Sequence, residues 1–221
     1  AIAEGHRVFR YLQPRLANNE QMVETQQADY GTIIRGGELN GTATQPFQLE
    51  DEIQTVTFSV LAHESLENVT FISPNGDEHP VEAIEKEHEQ SIFAGAYSHF
   101  IELDQPESGT WTIEMNSTTA GGYFAVASIE GGLTSTLQLE EDVVHAFDAT
   151  PADVTYSVHI NDQLHVEDAT LDALHTFHLP MKSNTSQTIT TDYNGITKNG
   201  TPFERTVVDH LFIDEKGNVF H

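Results

Sequence analysis

From Tyr30 onward, apolar and polar residues alternate with the period of a half-buried strand. In the stretch Thr110 to Met115, Trp111, Ile113 and Met115 fall on one face, and Thr110, Thr112 and Glu114 on the other. Pro106-Glu107-Ser108-Gly109 forms a turn before this strand, and the small polar run Asn116 to Gly122 follows it. A second apolar run, Tyr123 to Ile129, returns. The pattern predicts an antiparallel pair joined by that polar run. Val56, Phe58 and Val60 alternate with Thr55, Thr57 and Ser59 in another strand. Val69 and Phe71 begin a further one, stopped by Ser73-Pro74-Asn75-Gly76. Gly36-Gly37 reads as a turn or bulge, and Asp77 to Gln90 as an acidic loop or irregular edge. Between residues 30 and 131 this spacing predicts a β-sandwich of about seven short strands, immunoglobulin-like or jelly-roll-like.

Gly131-Gly132 then marks a boundary. Leu133, Leu137 and Leu139 alternate with polar residues, as do Val154, Tyr156, Val158 and Ile160. Further strands are expected over 171–179, 188–193 and 205–213, with a last one near Val219-Phe220. Residues 132–221 therefore read as a second β-sandwich. Residues 1–29 differ from both. Val8, Leu12 and Leu16 recur every four residues, which predicts a short helical segment. Pro14 divides it, because proline inside a helix costs about 3 kcal/mol. This segment reads as a linker or as the end of a preceding domain. The fold class expected is all-β, two sandwiches with a short helical lead-in.

Charge narrows the range of partners. The chain has 35 Asp and Glu against 9 Lys and Arg, a formal net charge of −26. Nucleic acids and anionic membrane surfaces are poor partners for such a surface, since binding them needs cations. No apolar run reaches the roughly 18 residues of a membrane span. There is no cysteine, hence no disulfide framework. The composition suits an exported protein of a salt-rich or alkaline habitat. The sequons at Asn40, Asn68, Asn116, Asn184 and Asn199 would matter only in a eukaryotic secretory route.

Candidate chemistry is sparse. The nucleophile elbow Gly-x-Ser-x-Gly, the phosphate-binding loop and the paired-histidine zinc motif are missing from the sequence. No catalytic residue and no cofactor is assigned. His79, Glu82, Glu85 and His88 lie in the acidic stretch and form a candidate metal set, set against the plainer reading of a solvated loop. Tyr97 and Phe100, near the Gly95 turn, form a candidate exposed aromatic pair for ligand binding. Trp111, through its alternation with Ile113 and Met115, is expected in the core. Arg205 is expected to pair with an acidic neighbour on an adjacent strand.

A family resemblance rests on short motifs. Leu66 to Gly76, LENVTFISPNG, precedes Gly109-Thr110-Trp111-Thr112 and the small-residue strand Gly122 to Ile129. In the second half, Tyr193-Asn194-Gly195 precedes Asn199-Gly200-Thr201-Pro202-Phe203-Glu204-Arg205. These runs resemble the C-terminal tandem β-sandwich region of secreted bacterial lipase-like hydrolases. They are also similar to the sandwiches that follow von Willebrand A domains in hemicentin-like and chloride-channel-accessory-type proteins. Phe9-Arg10-Tyr11-Leu12 looks like the closing helix of a lipase-type α/β-hydrolase. The resemblance implies a non-catalytic accessory region, secreted or at a bacterial cell surface. Its implied work is orientation, surface attachment or protection of an upstream catalytic domain of the same polypeptide. The alternative it implies is an adhesion or carbohydrate-binding module, whose partner is a cell-surface polymer or another protein.

Overall fold

The computed structural model describes residues 30–62, 66–81, 97–133, 138–140, 143–145, 153–171, 176–178, 184–216 and 218–220. The expected helical segment over 1–29 lies outside them. Every regular element among the described residues is a strand. The all-β class expected from the alternation is what forms, in a sandwich-like or barrel-like arrangement of sheets.

The first sheet is built on two long strands, β1 (Tyr30–Leu49) and β6 (Gly109–Gly131). They pair antiparallel over their full lengths, from Tyr30↔Glu130 to Leu49↔Gly109. The register shifts between Leu39 and Gly41, which face Gly121 and Ser117. Two further positions of β6 are thereby accommodated, and such a shift bends a strand pair. Along its other edge, β6 changes partner at this bend. Residues 112–116 pair with β3 (Asn68–Ile72), and residues 123–131 pair with β2 (Ile53–Ala62). β4 (Glu78–Val81) extends the β3 side, and β5 (Tyr97–Asp104) extends the β2 side.

The bend folds the two halves of the sheet face to face, a corner made by strands that run through both halves. Phe58 of β2 marks the middle of the core. Its ring centroid lies 5.6 Å from Phe47, 5.7 Å from Phe71 and 5.5 Å from Trp111. Trp111, Ile113 and Met115 are all buried with it, as their alternation predicts. The Trp111 indole N–H donates to the Glu107 carbonyl at 2.8 Å, so burial leaves its polar atom satisfied.

Two sequence expectations are corrected here. The runs 110–115 and 123–129 are not a hairpin: they are two halves of the single strand β6, and its polar middle is a bend. Gly36-Gly37 is not a turn but lies inside β1, opposite Phe124 and Tyr123. Gly37 is required there because the Tyr123 ring lies on it; a Cβ would sit 2.6 Å from the phenol oxygen. The acidic stretch after Asp77 opens with β4, an edge strand paired with β3, which fits the edge alternative rather than the loop. Ser73 to Asp77 does turn as predicted, with Gly76 at φ 95° and its N–H donating to Ser73 O.

A second sheet follows, ordered β10-β9-β12-β13-β14. Its strands are β9 (Asp153–Ile160), β10 (Gln163–Thr170), β12 (Thr185–Ile196), β13 (Pro202–Ile213) and β14 (Val219–Phe220). A third sheet joins β7 (Gln138–Glu140), β8 (Val143–His145) and β11 (Thr176–His178). Val158, Ile160, Ile189, Tyr193, Phe203 and Leu211 form the core of the second sheet. The β9–β10 turn is two residues long, Asn161 and Asp162, with φ 48° and 67°. Positive φ at both positions matches the tight hairpin turn that follows strand twist.

Candidate functional site

The two large sheets meet edge to edge. β1 pairs with β6 on one side only, and β13 is bordered by β14 only at Phe212 and Ile213. An open strand edge presents unpaired backbone groups, which natural sheets cover. Here the N-terminal half of β13 lies along β1, and the two strands exchange side-chain bonds in place of a ladder. The Thr32 hydroxyl donates to Thr206 O at 3.1 Å, and Ile34 N–H donates to Thr206 Oγ1 at 3.1 Å. Gln48 N–H donates to Glu204 Oε2 at 2.7 Å.

Charges reinforce this seam. Arg35 reaches from β1 to Asp192 on β12 at 3.2 Å and to Glu204 on β13 at 3.1 Å. Arg205 pairs with Glu50 through both guanidinium nitrogens: Nη1 donates to Oε2 at 3.0 Å, and Nη2 donates to Oε1. Both side chains are closed off from solvent. The bidentate fork is the geometry that lets an arginine carry a buried carboxylate. Leu133 completes the cage, its N–H donating to Glu50 Oε1 and its carbonyl accepting from Arg205 Nη2. Gly31 gives the guanidinium its path over β1, since a Cβ there would lie 2.5 Å from Arg205 Nε.

Asp51 forms the next layer. Its carboxylate accepts from Thr201 Oγ1 at 3.0 Å and from Asn199 Nδ2 at 2.9 Å. A cleft of about 360 Å³ opens beside it, lined in part by Glu50, Glu52, Leu133 and Lys198. A second cleft, about 470 Å³, is lined in part by Gln48, Asp153, Asn194, Ile196 and Glu204.

This geometry gives the Asn199-to-Arg205 motif a physical meaning. Asn199 holds Asp51; Gly200 takes φ 83° in the turn; Phe203 is buried in the core; Arg205 holds Glu50. The expectation that Arg205 pairs with a neighbouring strand is corrected. Its cross-strand neighbour on β12 is Tyr193, and its carboxylate comes from the other sheet, 155 positions away. Sequence reasoning did not single out Glu50, which stands in the acidic run Glu50-Asp51-Glu52. The one available signal was arithmetic: a chain with nine cations has few to place in a buried strand position.

The other candidate residues fall only partly within the described residues. Phe100 lies on β5 and is 41% exposed, while the side chain of Tyr97 lies outside the described residues. His79 sits on β4, half-buried, with its ring 6.0 Å from that of Trp111. Glu82, Glu85 and His88 lie outside the described residues. Among the described residues, no group of three or more His, Cys, Asp or Glu is placed to hold a metal ion. His99, not singled out in the sequence, is buried on β5 opposite Val60. Burial pushes its pKa below the ordinary histidine value.

No protein-family model and no curated protein matches the chain. Among solved structures, the chain is similar to the crystal structure of Bacillus licheniformis lipase BlEst2 in propeptide form. The likeness has a TM-score of 0.65 at 20% identity and covers 86% of this chain. The chain spans 43% of that lipase chain, so the shared fold is less than half of the neighbour. At this identity the likeness concerns the fold.

Proposed function

We propose that this chain is a non-catalytic accessory region of a secreted lipase-like hydrolase, packed beside the catalytic domain of the same polypeptide. The observation that carries this reading is the asymmetry of the structural likeness. Nearly all of this chain aligns with less than half of a lipase in propeptide form. An accessory or pro-region role fits a fold that accounts for part of such an enzyme. The sequence adds that no nucleophile elbow is present in the chain itself. The work proposed is protection or orientation of the catalytic part. The buried seam gives that part a stiff body to rest on, because fixed edges restrict the motion of two sheets.

The test compares three samples with short- and long-chain nitrophenyl esters. The isolated chain, checked for folding, should give no turnover above buffer. The full-length parent should hydrolyse esters through a serine upstream of Ala1. Adding the isolated chain to the separated catalytic part should change its activity or its thermal half-life. Serine-dependent turnover by the isolated chain would overturn the reading. A parent with no hydrolase upstream would favour the adhesion or carbohydrate-binding reading, which rests on the exposed ring of Phe100.

A further inference from the structure

We propose that Asn199 is a modification site whose deamidation acts as a one-way latch on the seam between the sheets. Asn199 precedes Gly200 in the β12–β13 turn and is exposed. A glycine after asparagine leaves its backbone nitrogen unshielded by a side chain. In the closed seam two bonds restrain the step. Gly200 N–H donates to Thr197 O at 2.9 Å, and Asn199 Nδ2 donates to Asp51 Oδ2 at 2.9 Å. Local opening of the turn releases both.

The chemistry then proceeds with water as the only co-reactant. Gly200 N loses its proton and attacks Cγ of Asn199, forming a C–N bond. The Cγ–Nδ2 bond breaks, and the amide leaves as ammonia with the transferred proton. Water next adds to the cyclic imide. Breaking the new bond at Cγ gives aspartate; breaking the original peptide bond gives isoaspartate. Either product is an ionised carboxylate at neutral pH, and the ammonia takes up the released proton.

The consequence comes from what Asn199 touches. Other Asn-Gly steps among the described residues are Asn40-Gly41, Asn75-Gly76 and Asn194-Gly195. Asn75 bonds within its own turn, to Ser73 and Asp77, and Asn194 bonds to Thr155 on the neighbouring strand. Asn199 instead reaches across to Asp51 of the first sheet. Deamidation removes that donor and sets a second carboxylate against the first, turning an attraction into a repulsion. A seam that has opened long enough to react would not close as before.

The experiment uses the whole chain. Incubation at 37 °C and mildly alkaline pH, followed by peptide mapping, should locate a one-dalton gain at Asn199. The amides of Ile34 and Gln48 report seam opening, since both donate across it. In Asn199→Asp they should exchange hydrogen about three- to tenfold faster, the range expected from losing one hydrogen bond. Adding Asp51→Asn to that variant should restore slow exchange, because it removes the like charge. Asn199→Gln, which cyclises poorly, should keep its seam during ageing. No mass gain at Asn199 would overturn the proposal. So would unchanged exchange in Asn199→Asp, or a failure of Asp51→Asn to rescue it.

Discussion

Glu50 of the first sheet and Arg205 of the second form a salt bridge that is shut away from water, with 1% and 0% of the side chains exposed. Two desolvated charges gain from each other only when both are present. Glu50→Leu or Arg205→Met alone should each destabilise by about 3–5 kcal/mol, because each leaves an uncompensated buried group. The double variant Glu50→Leu with Arg205→Met should recover most of the loss. Denaturant unfolding of all four proteins checks this; additive losses would mean that the two residues act independently.

The same pair guards the stretch that follows β6. Gly131 and Gly132 both adopt positive φ, 82° and 69°, and tight glycine turns invite proteases. Here Gly132 N–H donates to Glu52 O, and Leu133 is bonded to both Glu50 and Arg205. Limited proteolysis should therefore cut slowly between 131 and 133 in the native chain and quickly in Glu50→Gln. Equal cutting in the two proteins would mean that the seam does not control access.

Trp111→Ala tests the first core. Its ring meets Phe58 and His79, and truncating a buried tryptophan typically costs about 3–5 kcal/mol. Thermal unfolding should shift down strongly. A near-native midpoint would show that the two halves of the first sheet do not depend on this contact.

His99 predicts a pH dependence. Its Nδ1 has no hydrogen-bond partner among the described residues, and burial lowers its pKa from 6.5. Above pH 6.5 the histidine is neutral in both states, and the stability is complete. As pH falls below 6.5, the unfolded chain takes the proton first, so stability is lost down to the lowered folded pKa. The slope from one such group reaches at most about 1.4 kcal/mol per pH unit. His99→Leu should unfold with a flatter profile between pH 6.5 and 5. Parallel profiles would remove His99 from the account.

Local order was largely legible in the sequence. The alternation around Trp111 and around Phe58 named the buried faces, and Ser73 to Gly76 named a turn. Continuity was not legible. The polar run 116–122 has the composition of a loop, yet it is spanned by pairing with β1, which only the distant partner strand reveals. β10 was missed because nearly every residue of Gln163–Thr170 faces solvent, so burial imposes little alternation there. The seam was missed for a related reason. Glu50 and Arg205 are ordinary in their own segments and acquire meaning only from each other.

The antiparallel register of β1 and β6 also sets how this chain bears load. Tyr30 lies opposite Glu130, so the segment entering the first sheet and the segment leaving it are at the same end of the strand pair. Tension between residues before Tyr30 and residues after Gly131 would open the ladder one rung at a time, as a zipper, rather than shear all rungs together. The crosslinks between β1 and β13 border that same end, at Thr32 and Ile34. They would share the pull with the first rungs of the ladder and with the bonds of Gly132 and Leu133, so the seam takes load before most of the β1–β6 pairing does.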